Sequence, residues 1–335
     1  MPERPRLTPA IADTRRAVRS ALPPEGLVLV ALSGGPDSLA LAAATAFEAA
    51  GRAGAIVVDH GLQAGSDAVA ERAAAQARGL GLDPVRVARV EVGTRGGPES
   101  AARDARYGAL DAVAAELGAV AILLGHTLDD QAETVLLGLA RGSGAASLQG
   151  MAQVAGVYRR PFLGIRRSTT RQACTDAGLQ PWHDPHNDDP AFARVRVRST
   201  VLPMLEDALG PGVAEALART AEQLREDSDA LDSFAHEVAE DVTELEEAGV
   251  SLGVAALAAN PPALRQRLIR LVAESEFHVS LSRSHTLAIS ALVTQWHGQK
   301  GIDLPGFSAQ RRGHRIHLIS TQAGELTGRK PPHDH

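Results

Sequence analysis

Cysteine, lysine and aromatic residues are all scarce in this chain of 335 residues. The single cysteine, Cys174, excludes an intramolecular disulfide. It equally excludes a four-cysteine zinc or iron–sulfur site within one chain. It suits a reducing compartment, so a cytoplasmic location is expected. Lysine occurs only at Lys300 and Lys330. No Gly-x4-Gly-Lys-Ser/Thr loop exists, which excludes nucleotide chemistry of the Walker type. Aromatic residues make up 3%, too few for a nucleobase platform of many stacked rings. No run of about 18 apolar residues occurs, which excludes a helical membrane span. The charged start of the chain is not followed by an apolar signal core, so no secretory leader is expected.

What remains is ordinary globular composition, 44% hydrophobic and 22% charged, at a length that suggests two domains. The net charge of −6 is unevenly spread. Residues 158–198 carry eight arginines against four acids, whereas residues 206–247 carry fourteen acids against two arginines. A polyanionic partner would favour the first stretch and avoid the second.

The first half alternates between two periodicities. Short β-rich runs at Leu27–Leu32, Ala55–Val58, Val85–Val90 and Ala119–Leu124 are separated or followed by helical patterns near 37–50, 66–79, 99–117 and 128–140. That alternation predicts an α/β fold, a parallel sheet with helices on both faces. A further strand is expected at Val157–Phe162 and a helix near 168–178. Three prolines and several Asx residues make 181–190 a loop. Beyond residue 199 the pattern is helical and acidic, with a break at Pro211-Gly212 and helices near 213–247, 261–275 and 284–297. Short strands around a turn are expected over Gly301–Ser320. The expected division is a catalytic domain over 1–210, a smaller, mainly helical domain over 211–327 and a disordered tail over 328–335.

Two segments carry chemistry. Ser33-Gly34-Gly35-Pro36-Asp37-Ser38 follows an apolar strand and opens an Ala/Leu-rich helix. The glycines allow a sharp turn and close backbone approach, and Pro36 suits the first helical turn. The free N–H groups there form an anion cradle, to which Ser33 and Ser38 add hydroxyls. Asp37 would repel phosphate unless Mg²⁺ bridges the two. The second segment, Gly125-His126-Thr127-Leu128-Asp129-Asp130-Gln131-Ala132-Glu133-Thr134, follows the fourth strand. Thr127 and Asp130 have capping-box spacing. Asp129, Asp130 and Glu133 share one turn, a grouping suited to Mg²⁺, a substrate ammonium, or both. His126 sits at the strand's tip as a proton acceptor or a donor to phosphate.

The hexapeptide resembles the SGGxDS pyrophosphate loop (PP-loop) of the N-type ATP pyrophosphatases. Together with the second segment it resembles the tRNA(Ile)-lysidine synthase family. Val58-Asp59-His60-Gly61-Leu62, the set Glu99, Ala102, Arg103, Arg106 and Tyr107, and Arg141-Gly142-Ser143-Gly144 agree with that family. So do Arg160-Pro161-Phe162-Leu163 and the loop residues Trp182, Asp184 and Asn187. The resemblance runs from about residue 26 to 206. Two departures stand out. His186 takes a place where the family often has serine, and Arg194-Val195-Arg196-Val197-Arg198 replaces an Arg-Asn-x-Ile-Arg run. The alternating valines there fit either a strand with one charged face or a loop entering a helix.

The resemblance implies an adenine nucleotide alpha hydrolase-like fold and a ligase acting on a CAU-anticodon tRNA(Ile). The wobble cytidine would attack ATP through its C2 oxygen, pyrophosphate would leave, and L-lysine would then displace AMP. The product base pairs with A, and specificity changes from Met/AUG to Ile/AUA. Under that reading residues 33–38 and Asp59 hold ATP and Mg²⁺, and Arg103 faces the α-phosphate. His126 or Asp130 handles the lysine proton, while Asp129, Asp130 and Glu133 receive lysine. Arg166, Arg167, Arg194, Arg196 and Arg198 face the RNA. Arg265, Arg267, Arg270, Arg311, Arg312 and Arg315 would read tRNA features outside the anticodon, and a homodimer is among the expectations. Another PP-loop tRNA-modifying enzyme, a thiolase, is the alternative, and a single cysteine disfavours it. A noncatalytic RNA-binding module would have no use for Asp37, Asp130 and Glu133, since carboxylates repel RNA.

Overall fold

The computed structural model describes residues 7–61, 65–93, 98–142 and 144–321. The expected tail at 328–335, together with Leu62 and Ser143, lies outside them. The chain divides into two compact units, Met1–Leu224 and Arg225–His335.

The first unit begins with a helix that the sequence reading does not include, α1 (Pro9–Ala21), capped by Thr8. Then follow β1 (Val28–Ala31), α2 (Pro36–Glu48), β2 (Ala53–Asp59), α3 (Ser66–Gly79), β3 (Val85–Arg89), α4 (Pro98–Leu117), β4 (Ala121–Leu123) and α5 (Leu128–Ala140). A short α6 (Ala145–Leu148) leads to a two-residue hairpin pair, β5 (Val154–Ala155) and β6 (Tyr158–Arg159). The strand expected at Val157–Phe162 is therefore much shorter. Pro161 cannot donate to a ladder, and a 3-10 turn runs over Pro161–Gly164 instead. Next come α7 (Arg167–Asp176), α8 (Ala193–Arg196), a π turn over Val197–Val201 and α9 (Leu202–Leu209). The arginine–valine repeat is thus helical, not a strand.

The sheet order is β3-β2-β1-β4-β6-β5, parallel except for β5 against β6. Alternate side chains sort cleanly between its faces. Val28, Val30, Ala53, Ala55, Val57, Ala121 and Leu123 pack with Val18 of α1, Leu39 and Leu41 of α2, Ala73 of α3 and Cys174 of α7. Leu29, Ile56, Ile122 and Leu124 pack with Leu110 and Ala114 of α4. A period of two with both faces covered is the arrangement expected of a buried parallel sheet. The chain turns to β2 on one side of β1 and to β4 on the other. This creates a switch point, where ligands of open α/β sheets bind beyond the strand ends.

A long helix, α10 (Val213–Val242), starts after the break at Pro211-Gly212. Its first part adds Ala214, Leu217 and Ala218 to a cluster with Leu128 and Ala132 of α5. The helix stops before residue 247, because Thr243–Glu246 forms strand β7. The second unit continues with β8 (Gly249–Gly253), α11 (Val254–Ala259), α12 (Pro262–Phe277), α13 (Arg283–Thr294), β9 (Ile302–Leu304), β10 (Phe307–Arg312) and β11 (Arg315–Ser320). Helix predominates, and the strands expected near the end join β7 and β8 in an antiparallel sheet of order β7-β8-β11-β10-β9. Phe307, Leu318 and Leu252 of that sheet are buried with Leu268, Ile269 and Leu292.

Candidate active site

The switch point brings the two chemical segments together. Ser33–Ser38 leaves the end of β1, and Gly34 adopts φ +82°, a left-handed conformation that favours glycine. Gly35 is the N-cap of α2 and has no side-chain cap, so the first N–H groups of the helix stay available. Ser38 Oγ accepts from Ser33 N at 3.2 Å and donates to Gly35 O at 3.0 Å, which closes the loop on itself. Gly125, at the end of β4, lies against this turn. A Cβ there would meet the Asp37 carbonyl and Ser38 Cα at 3.3 Å, so only glycine lets the two segments approach so closely.

The second segment is a buried charge network. Thr127 and Asp130 form the expected capping box: Thr127 N donates to Asp130 Oδ2 at 2.8 Å and Thr127 Oγ1 accepts from Asp130 N at 3.3 Å. Arg167, on α7, is the hub. Its Nη2 meets Asp130 Oδ1 at 2.6 Å, its Nη1 meets Glu133 Oε1 at 3.1 Å and its Nε lies 3.7 Å from Asp37 Oδ2. Its backbone N–H donates to Asp129 Oδ2 at 2.7 Å. Arg198 forks onto Glu133 at 2.8 and 3.1 Å, and Arg194 lies 3.8 Å from the same carboxylate. Arg166 reaches Asp129 at 3.6 Å and Glu215 at 3.5 Å. Thr170, one turn on from Arg167, donates to Asp37.

These contacts set the charge states. Burial pushes the Asp37 carboxyl above its ordinary range, a push that the Thr170 hydrogen bond and Arg167 only partly offset. Burial also opposes ionisation of Asp130, but Arg167 and the Thr127 hydrogen bonds outweigh it and hold the group below the usual carboxylate range. Burial lowers His126 to about 4, so its imidazole is neutral near pH 7, and its Nδ1 is enclosed without a partner. Among the described residues no three His, Cys, Asp or Glu side chains converge to cage a metal. Mg²⁺ takes one or two carboxylates together with substrate phosphates and water. Asp37, with 24% of its side chain exposed beside the anion cradle and held protonation-prone by desolvation, is the residue that would hold it.

Beside the loop, on the β1–β2 side, lies a cavity of about 540 Å³. Ala31, Ile56, Val58 and Leu110 give it an apolar wall, and Ser33, Asp59, His60, Arg106 and Asn187 give it polar ones. The 181–190 loop, expected as a loop that carries the Trp182, Asp184 and Asn187 resemblance, contributes Trp182, Asp184, His186 and Asn187 to the wall. It is tied to the phosphate loop by Trp182 N donating to Gly34 O at 2.9 Å.

Several expectations need correction. Arg103 lies over the Tyr107 ring at 5.0 Å and is not part of the cavity lining, whereas Arg106, one turn along α4, is. Arg167 is buried among carboxylates and Arg198 is spent on Glu133, so neither is a free RNA contact. Glu133 has no exposed surface and meets three arginines, so it organises the cluster and does not present itself to an ammonium. Asp59 does reach the cavity, but its carboxylate is engaged by Ser66 and by Gly61 N at 2.9 Å, which hold it below its usual range. In the second unit, Arg265 is buried and bonds Ser290 Oγ and the Leu257 carbonyl. Arg315 is bound to Ser251 and Glu244. Both are internal braces. No spacing rule signals such pairing, because the partners come from distant elements.

Residues 11–205 match the PP-loop domain family, and residues 252–317 match the TilS substrate binding domain. The chain is 66% identical over 87% of its length to the tRNA(Ile)-lysidine synthase of Leifsonia xyli subsp. xyli, covering 89% of that protein. The chain belongs to the tRNA(Ile)-lysidine synthase family. The family's member from Thermobifida fusca is 53% identical over 92% of this chain and 95% of its own. Among solved structures, the U34-tRNA thiolase NcsA from Methanococcus maripaludis with its [4Fe-4S] cluster superposes with a TM-score of 0.55 at 21% identity. It covers 65% of this chain and 80% of its own, a likeness of fold alone. No helix among the described residues is long and apolar enough to cross a membrane.

Proposed function

We propose that this protein uses ATP to join L-lysine to C2 of the wobble cytidine in the CAU anticodon of tRNA(Ile). ATP lies across the switch point, with its base and ribose in the cavity on the β1–β2 side and its phosphates over residues 33–38. Backbone N–H groups at the start of α2 take the β- and γ-phosphates. Mg²⁺ held at Asp37 would neutralise phosphate charge when bound. Arg106, on the cavity wall, faces the charge that develops at the α-phosphorus. The cytidine C2 oxygen forms a bond to that phosphorus as the bond to pyrophosphate breaks.

Lysine then attacks C2 through its ε-amine, the C2–O bond breaks, and AMP leaves. The ε-ammonium must first lose a proton. Asp130, ionised and fixed by Thr127 and Arg167, holds the amino group, and Asp129 stands beside it on the same turn. The proton passes to water before attack, and the neutral His126 imidazole, with its Nδ1 enclosed, stands at the strand tip beside this turn. Because the cytidine belongs to a folded RNA, it enters this pocket splayed from its loop. Arg196, which is exposed, is the member of the arginine run best placed for RNA phosphate. We assign ATP chemistry to residues 1–210 and recognition of the rest of the tRNA to the unit beyond, with a homodimer as the assembly.

The observation that carries this reading is the meeting of a phosphate cradle and an arginine-braced carboxylate turn at one switch point. The test is incorporation of labelled lysine into CAU-anticodon tRNA(Ile). Lysine should enter the tRNA only with ATP present, with AMP and pyrophosphate released one for one. Pyrophosphate release with sulfur transfer and no lysine uptake would contradict it.

A further inference from the structure

Arg160 differs from every arginine of the carboxylate network. It follows β6 directly and is 8% exposed. Its Nη1 donates to the Ala152 carbonyl at 2.8 Å, and its Nε is enclosed with no partner at all. Among the described residues Nη2 has no hydrogen-bond partner either, and it is not one of the enclosed atoms. Among the described residues no carboxylate pairs with this guanidinium, whereas Arg166, Arg167, Arg194 and Arg198 each meet at least one. A buried cation without a counter-charge is costly to the fold, and buried polar groups left unpaired mark places where a ligand completes the bonding.

The missing group is therefore an oxyanion, and its place narrows the choice. β6 borders β4, whose tip carries His126, and His126 senses the Asp130 charge and those of Arg160, Arg106 and Arg194. The nucleotide cavity lies on the other side of β1, and its lining does not include Arg160. The arrangement around His126 is thus a carboxylate turn and an unpaired guanidinium flanking one neutral imidazole. That is the complement of a small zwitterion. A phosphodiester of the RNA backbone is the other source of an oxyanion, but a guanidinium only 8% exposed, and closed off at Nε, favours the smaller ligand at Nη2.

We infer that Arg160 is a specificity-determining residue for the amino-acid substrate: its guanidinium binds the α-carboxylate of lysine, across from the α5 carboxylates that take an amino group. This rests on lysine being the second substrate. The test compares kcat/KM for L-lysine, L-lysinamide and cadaverine, with ATP and CAU-anticodon tRNA(Ile) saturating. The wild-type protein should favour lysine over both analogues by about 10- to 100-fold, the worth of a charge-assisted hydrogen bond to a carboxylate. Arg160→Met should bring the ratio to near parity, and Arg160→Lys should restore part of it. The ratio is taken within one enzyme, so partial loss of folded protein cancels. Wild-type protein that uses lysinamide as well as lysine would overturn the assignment. So would an Arg160→Met protein that keeps the preference while its KM for tRNA rises, the result expected of a phosphate contact. Failure of the wild type to transfer any lysine would instead overturn the functional reading on which the assignment rests.

Discussion

The two halves of the site are built in opposite ways. The phosphate loop is short-range: its hydroxyls bond within residues 33–38, its backbone N–H groups are left open and its one carboxylate is destabilised by burial. The α5 turn is long-range. Its carboxylates are held by arginines 34 to 68 residues away along the chain. The first half awaits ligand charge, and the second arrives with its charges balanced. A loop of the first kind binds an anion and its cation as they come. A cluster of the second kind costs stability if any member is removed, but it fixes the orientation and charge of the groups proposed to meet the second substrate.

That contrast is sharpest in what each half loses on mutation. Asp37→Ala should lower pyrophosphate release by about 100-fold or more, the scale of removing a charge-stabilising group from a reacting centre. The melting temperature should hardly move, because the cost of burying the Asp37 carboxyl offsets what its Thr170 and Arg167 contacts contribute. Glu133→Ala should do the reverse of this in kind. Three guanidinium groups lose their shared carboxylate, and a loss of about 3–5 kcal/mol is expected for a broken buried pair, measured by denaturant unfolding. If Glu133→Ala were as stable as the parent, the second half would not be the braced structure described.

The phosphate half is largely readable in the primary sequence, because adjacent residues and backbone geometry carry its function. The strand–helix alternation up to Ala140 is equally readable, since both faces of each strand are buried and each helix keeps its period. The braced half is only partly readable. The spacing of Asp129, Asp130 and Glu133 shows a charged turn, but nothing local shows that Arg167 and Arg198 fold back onto it. Arg167 and Arg198 resemble RNA-facing arginines until their burial and partners are known. The same blindness applies to Arg103 and Arg106, one turn apart with different surroundings, and to Trp182, whose loop proves to wall the cavity beside the phosphate loop. Strand β7 escapes a reading for helix because the acidic pattern of α10 continues into it.

Smaller effects sharpen the comparison further. His126 is held at about 4 against an ordinary 6.5, so the folded state resists a proton that the unfolded chain accepts. The stability tied to this group is complete above pH 6.5 and is lost as the pH falls toward 4. His126→Asn should therefore flatten the acid side of the stability profile between these values, as read by thermal melts across pH. Smallest of all is Arg196→Glu. The exposed guanidinium rests only on the Pro190 and Ala191 carbonyls, so folding should change by no more than about 0.5 kcal/mol. The slope of log affinity for tRNA against log salt should become shallower by about one, one phosphate contact's worth of released counterions. An unchanged slope would remove Arg196 from the RNA surface.

The division of labour between the two halves is tested most directly by a rapid-quench assay with α-labelled ATP and labelled lysine. Such an assay follows adenylated tRNA and lysidine separately in Asp37→Ala and Asp130→Asn proteins. The account predicts no adenylate with Asp37→Ala. With Asp130→Asn it predicts that adenylated tRNA accumulates while the lysine concentration needed for transfer rises. Adenylate blocked as completely by Asp130→Asn as by Asp37→Ala, or both products formed at the parent rate, would contradict it.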